Sequence, residues 1–463
     1  MAPATATAHV LVLDIGKTNA KAALVDTVAL AEIEVLSTPN SPRPGPPYPH
    51  ADTESLWRFF LEAAGALHAR HRVDAIVPTT HGATAALVDA DGGLALPVLD
   101  YEHDGPDELA AAYDAVRPDF AESGSPRLPA GLNLGAQLFW QARSFPDAFA
   151  RTAAILPYPQ YWSYRLTGLA TSEVTSLGTH TDLWNPYTRH LSSLARQQGW
   201  QAKMPPLRRA ADQLGPIRAE VAAAASLDPA TPVFCGIHDS NASLLPHLRA
   251  RTAPFAVVST GTWVISMAVG GHSVDLDATR DTLVNVDADG DAVPSARFMG
   301  GREWALATGG RATAARPEDA EAVVGRRIML LPAIEAGSGP FPGRASSWTV
   351  PESTLSDGER AVAVSYYLAL MTAACLELVG AEGPALIEGP FAGNAHYCEM
   401  LGAAIGRPVL LPSRGGIGTS IGAALVTCPA PREALADAMP ELRPDPSRRN
   451  RMADYARHWR RRC

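Results

Sequence analysis

His9-Val10-Leu11-Val12-Leu13-Asp14-Ile15-Gly16-Lys17-Thr18-Asn19-Ala20-Lys21-Ala22-Ala23-Leu24-Val25-Asp26 reads as an apolar strand, a tight polar turn at Gly16 and a second strand. Phe255-Ala256-Val257-Val258-Ser259-Thr260-Gly261-Thr262-Trp263-Val264-Ile265-Ser266-Met267-Ala268 repeats that layout. Each turn gathers backbone N–H groups and small hydroxyls in a bend that glycine permits, which is what a cradle for phosphoryl oxygens requires. One hairpin of this kind means little. Two, one near the start and one past the middle, predict a duplicated fold closing on a phosphate-bearing ligand.

The 463 residues exceed what one hydrophobic core usually supports, so two domains are expected. Hydrophobic residues make up 46% and charged residues 19% of the chain, a globular balance. A net charge of -9 argues against an electrostatic nucleic-acid binder and for a small-molecule partner. The five cysteines, Cys235, Cys375, Cys398, Cys428 and Cys463, are odd in number, far apart and without a CxxC or Cys/His cluster, which implies a reducing, cytoplasmic setting. Residues 1–8 lack the basic start of a signal peptide, and the apolar run after them is short and broken by Asp14, so no membrane span is expected.

Residues 40–49, with five prolines, predict a surface loop. Apolar residues at helical spacing (Leu56, Phe59, Phe60, Ala63, Leu67) predict a helix over 52–71, capped at Asp52-Thr53. Strands follow at 73–78 and 85–89, with a turn at Asp91-Gly92-Gly93. This alternation is α/β. Residues 232–237 read as a strand running into a strand-to-helix turn from His238, and a domain boundary is expected near 249–253. A helix over 356–379 precedes a strand at 385–388. The basic tail 448–463, with Tyr455, His458 and Trp459 interleaved, reads as an amphipathic helix with a solvated arginine face.

Gly16-Lys17-Thr18 imitates the end of a Walker A loop. That motif needs glycine where Leu11 stands and a helix afterwards, whereas residues 20–25 alternate like a strand, so the P-loop is excluded. In their order along nearly the whole chain, the two hairpins, the segments between them, the strand-borne Asp239, Gly389-Pro390-Phe391-Ala392-Gly393-Asn394 and the run Gly415-Gly416-Ile417-Gly418-Thr419-Ser420-Ile421-Gly422 resemble the FGGY carbohydrate kinases. That family lies within the sugar kinase, actin and Hsp70 superfamily, and the similarity is nearest to its rhamnulose and fuculose kinases. The resemblance implies an α/β protein with two ribonuclease-H-like, actin-like ATPase domains flanking an interdomain cleft. Residues 1–250 would form the sugar-binding domain, 251–440 the nucleotide-binding domain and 441–463 a basic helix or tail. It implies a cytoplasmic kinase that passes the γ-phosphoryl group of ATP to a primary hydroxyl of a ketose such as L-rhamnulose or L-fuculose. Acceptors such as a pentulose, a tetrulose or a glycerol-like polyol are the alternative, and an actin-like ATPase or sugar sensor the rival from another class. A homodimer follows only from family habit.

By the same resemblance, Asp239 is the catalytic base and also meets the sugar. Mg²⁺ falls to Asp14 and Asp239, and the ATP phosphates to Gly16, Lys17, Thr18, Asn19 and Lys21 from the first hairpin and Gly261 and Thr262 from the second. Gly393 and Asn394 border the adenosine. His81, Gly82, Glu102 and Gln137 contact the sugar, with Trp140 as a further candidate, and Arg302, in a segment bordering the cleft, could assist charge neutralisation. Taken alone, these residues admit plainer readings. Lys17 could be a solvated lysine on a stable hairpin, and Asp239 a helix N-cap before Ser240-Asn241-Ala242-Ser243. His81 could be structural, residues 102–104 a polar loop, and Gln137 and Trp140 part of an ordinary amphipathic helix. Trp263 reads as a core or interdomain aromatic in a strand, residues 300–304 as a surface loop with a salt bridge, and the glycine run as tight helix packing.

Overall fold

The computed structural model describes residues 8–310, 315–412, 418–428, 435, 441–442 and 445–463. The described residues form two compact units. The first takes those within 1–250, 284–292 and 417–435, and the second those within 251–283, 293–416 and 436–463.

The first unit is built on strands β1 (His9–Ile15), β2 (Asn19–Asp26), β3 (Ala31–Pro39), β4 (Ala75–Thr80), β5 (Gln213–Pro216), β6 (Pro232–Phe234) and β7 (Ile237–His238). Their order is β5-β6-β4-β1-β2-β3, with β7 also paired to β4. β1 is antiparallel to β2 and parallel to β4, while β6 and β7 both run parallel to β4. The apolar run of β1 is continuous because both of its faces are buried, as a central strand of a covered sheet requires. Leu11, Leu13 and Ile15 face one core, Val10 and Val12 the other. Helix α1 (Thr53–Arg70) closes the first face through Leu56, Phe60 and Leu67, and Asp52 Oδ1 caps it by accepting from the Ser55 N–H at 3.1 Å. Helix α2 (Asp239–Ala250) and the helix Thr419–Ala424 close the second face. Gly422 is needed there, since a Cβ on it would stand 1.9 Å from the Ala242 carbonyl oxygen. Tight packing accounts for that part of the glycine run. Its residues 415–417 lie outside the described residues.

A second sheet repeats this plan with β8 (Phe255–Thr260), β9 (Val264–Val269), β10 (Thr282–Val286), β11 (Ala292–Phe298), β12 (Ala385–Glu388), β13 (Val409–Leu410) and β14 (Glu441–Leu442). The order is β10-β11-β9-β8-β12-β13-β14. β8 is antiparallel to β9 and parallel to β12, just as β1 is to β2 and β4. The two quoted hairpins thus hold equivalent places in two sheets. Helices α3 (Gly300–Thr308), α4 (Asp357–Leu378), α5 (Ala395–Ile405) and α6 (Pro446–Arg460) belong to the second unit. α4 begins with a capping box, Ser356 to Glu359. It is the one helix among the described residues long and apolar enough to cross a membrane, and most of it is buried inside the protein. α6 is amphipathic, with Met452, Tyr455 and Trp459 buried and the Tyr455 hydroxyl and Trp459 indole donating to the carbonyls of Ile328 and Leu330.

Several expectations change in detail. The strand expected at 73–78 runs Ala75–Thr80, and a further short strand stands at Leu94–Leu96, with Leu99 in an isolated bridge to His50. Residues 300–304 open α3 instead of forming a loop, because Gly301 and the Thr262 carbonyl pair at 3.2 Å. Trp263 sits in the turn before β9, half-buried under the Arg297 guanidinium 4.7 Å from its ring, and not within a strand. All five cysteines are free.

Candidate active site

In the first unit the register of the parallel strands gathers the polar residues. Asp14 on β1 pairs with Thr79 on β4, and Thr79 pairs with Ile237 on β7. Three strands therefore end along one edge, delivering Asp14, His81 and Asp239 together. Crevices at the carboxyl ends of parallel strands are where α/β sheets bind ligands.

Asp14 is only 8% exposed, and burial followed by repulsion from Asp239 pushes its carboxyl up to about 6. The Asp239 side chain is 30% exposed, and burial raises its proton affinity while His81 and the Ser240 N–H oppose the rise. Asp239 is the first residue of α2, and its Oδ1 accepts from the Ser240 N–H at 2.6 Å. The expected N-cap bond to a later turn is replaced by this bond to the next residue, which leaves Oδ2 without a bond to the protein among the described residues. Thr18 and Asn19 are exposed at the hairpin turn, and Lys21 is exposed on β2 opposite Asp14. Gly16 donates its N–H to the Asn19 carbonyl at 3.0 Å, closing the turn. Neither Gly16 nor Gly261 has a positive φ. A Cβ on Gly16 would stand 3.2 Å from the Asn19 carbonyl oxygen, so that glycine serves a close backbone approach and not a left-handed bend.

Lys17 is placed differently from the phosphate contact expected. Its ammonium pairs with Asp100, lies 3.2 Å from Glu102 and stands 4.6 Å from the Tyr101 ring. Lys17, Asn40, His81, Thr84, Asp100 and Tyr101 line one polar recess. His81 Nδ1 is bonded to the Gly82 carbonyl at 3.0 Å, its ring meets Tyr101 edge-on at 5.2 Å, and burial holds it toward the neutral form. Glu102 is 65% exposed, held on one side by its contact with Lys17. Gln137 is buried, and its amide donates to the carbonyls of Ala83 and Gly131. Its amide nitrogen thus pins two loops. Trp140 is likewise a core aromatic whose indole donates to Glu108 at 3.2 Å.

In the second unit a cavity of about 830 Å³ opens beside the second hairpin. That is ample for a nucleoside. Gly261 and Thr262 lie at one end, and Gly393 and Asn394 at another. Trp304 and Phe391, with ring centroids 6.4 Å apart, supply an aromatic wall. A Cβ on Gly393 would meet nothing, so a ligand has free approach. Asn394 caps α5 by accepting from the Tyr397 N–H at 3.1 Å and donates to Ser365 at 3.0 Å, which leaves one amide hydrogen for a ligand. Arg302 borders the cavity while paired to Glu335 at 2.8 Å.

Sequence reasoning passed over Asp100, Ser365 and the aromatic wall. Asp100 falls next to the Tyr101-Glu102 segment and was within reach, but Ser365 lies inside an apolar helix with no local signal.

Comparison with known proteins agrees with this layout. A model of the N-terminal domain of the FGGY family of carbohydrate kinases matches residues 9–246, and a model of the carbohydrate kinase FGGY C-terminal domain matches 252–436. The chain is 26% identical over 272 residues to an L-fuculokinase of Escherichia coli, a match covering 56% of each protein and so about half the relative's length. The crystal structure of a carbohydrate kinase from Novosphingobium aromaticivorans superposes with a TM-score of 0.90 at 35% identity, covering 99% of both chains. A xylulose kinase from Lactobacillus acidophilus gives 0.79 at 14% identity, covering 98% of this chain and 97% of that one, a likeness of fold alone.

Proposed function

The chain belongs to the FGGY family of carbohydrate kinases, and from that premise we propose that it transfers the γ-phosphoryl group of ATP to a primary hydroxyl of a ketose. L-Fuculose or L-rhamnulose is the favoured acceptor, on the similarity to L-fuculokinase. The observation that carries the reading is the meeting of Asp14, His81 and Asp239 at the ends of three strands. Phosphoryl transfer asks the protein for position and charge stabilisation more than covalent chemistry. Asp239 Oδ2 takes the acceptor's proton as the oxygen attacks phosphorus, and ADP leaves. His81 and Glu102 orient the remaining hydroxyls. Thr18 and Asn19 would contact the phosphates, and the second-unit cavity would hold adenosine against Trp304 and Phe391.

The donor set fits a magnesium ion. A buried carboxylate whose proton affinity is raised by a second carboxylate is relieved by a divalent cation, and Mg²⁺ typically takes one or two carboxylates with phosphate and water. Asp14 and Asp239 would hold it, and the bound ion supplies neutralisation of the phosphate oxygens. A cytoplasmic setting, where ATP is plentiful, accords with the free cysteines.

The test is ADP release measured across ketoses, deoxyketoses and polyols for the wild type and Asp239→Asn. Sugar-dependent turnover, nearly lost in the variant while ATP binding is retained, is expected. Turnover independent of added sugar would instead mark an ATPase.

A further inference from the structure

We propose that His238 is a positioning residue for Asp239, held in one tautomer and one orientation by a buried network that reaches back to Glu173. The inference rests on Asp239 being the base. His238 is 4% exposed, and its Nε2 lies 3.1 Å from Asp239 Oδ1. Its Nδ1 lies 3.2 Å from the Asn241 side-chain nitrogen, a group that only donates. With the Asn241 nitrogen donating to Nδ1, Nε2 is the ring nitrogen that donates. Its proton points at Asp239.

The backbone of His238 is fixed as firmly as its ring. Its N–H donates to Thr175 Oγ1 at 3.1 Å, and that hydroxyl donates to Glu173 Oε2 at 2.5 Å. Glu173 is fully buried and also accepts the N–H groups of Thr175 and Ser176, so a carboxylate the reaction does not use is spent on holding one short turn. Gly82 completes the setting, since a Cβ there would stand 2.8 Å from His238 Nε2. The ring therefore occupies the space that a side chain at position 82 would need. With Oδ1 engaged by His238 and the Ser240 N–H, only Oδ2 is left to face the acceptor hydroxyl. In the transfer the acceptor O–P bond forms, the bond from the γ-phosphorus to the β-bridging oxygen breaks, the proton moves to Oδ2, and ADP departs.

The test compares His238→Phe, His238→Gln and Asn241→Leu in the full-length chain. It reads kcat and KM for the sugar giving the fastest turnover, ADP released per sugar phosphate formed, and thermal midpoint. A glutamine amide replaces the Nε2–H donor, and phenylalanine keeps bulk without it. Expected are a 10- to 100-fold fall in kcat for His238→Phe with the ATP KM unchanged, recovery of most of the rate in His238→Gln, and a smaller fall in Asn241→Leu. ADP release in excess of sugar phosphate should appear in the phenylalanine variant. Equal losses in His238→Phe and His238→Gln, or a wild-type kcat in His238→Phe, overturn the proposal. Should the phenylalanine variant not fold, a wild-type kcat in Asn241→Leu overturns it alone. Asp239→Asn, run alongside, separates the two claims: wild-type turnover there overturns the base assignment itself, whereas a dead Asp239→Asn beside unaffected His238 variants overturns only the histidine's role.

Discussion

The ammonium of Lys17 lies 3.2 Å from a Glu102 carboxylate oxygen and pairs with Asp100, so the turn of the first hairpin is tied to the loop after Leu94–Leu96. Lys17→Met should therefore raise the sugar KM about tenfold, or ~1.4 kcal/mol, and change the ATP KM little. Steady-state kinetics with each substrate varied in turn checks this. A rise confined to the ATP KM would place Lys17 on the phosphates.

Gly301 lies so close to the second hairpin that a Cβ on it would stand 2.3 Å from the Gly261 carbonyl oxygen. Backbone cannot yield as a side chain does. Gly301→Ala should displace the Gly261-Thr262 turn, weaken ATP binding measured by calorimetry, and cost about 1–3 kcal/mol of stability. Unchanged nucleotide affinity would show that the turn does not meet the phosphates.

Burial and Asp239 raise Asp14 from 3.8 to about 6. The folded chain then binds more protons than the unfolded one between those values, so stability falls as pH rises through this window and the full penalty remains above it. Two pH units correspond to an upper bound of about 3 kcal/mol. Asp14→Asn should raise the thermal midpoint at pH 8 without nucleotide, leave it little changed near pH 4, and abolish turnover. A midpoint lowered at pH 8 would refute the repulsion.

Glu303 on α3 is fully buried, accepts from the Tyr367 hydroxyl at 3.1 Å and the Glu335 N–H at 3.0 Å, and is pushed by burial up to about 7. Its raised affinity destabilises the fold as pH climbs from about 4.5 to 7, by the same proton count. Glu303→Gln should flatten that part of the stability profile, followed by denaturant melts at several pH values. A profile identical to the wild type would mean Glu303 is ionised throughout.

Local patterns carried much of the fold. The cap and apolar spacing of α1 appear in the sequence as they do in the structure, since an N-cap and a 3.6-residue period are properties of a dozen neighbouring residues. The β1–β2 and β8–β9 hairpins were readable for the same reason. The candidate site was readable only in part. Asp14 and Asp239 stood out by type and setting, but the two carbonyls that Gln137 binds, of Ala83 and Gly131, are brought to it by other segments. The pairing of Lys17 with Asp100 was hidden for a like reason: the two lie 83 residues apart.

The sequence by itself determined the α/β alternation, the duplicated hairpins and the family. Those are written in periodicity, turn chemistry and the order of short motifs. Tertiary structure alone decided that β1, β4 and β7 end on one edge, that Gly82 makes room for the His238 ring, and that Glu173 anchors the turn behind the base. The physical reason is that parallel register and ring placement depend on contacts between residues dozens to hundreds of positions apart, and no local window of sequence contains both partners.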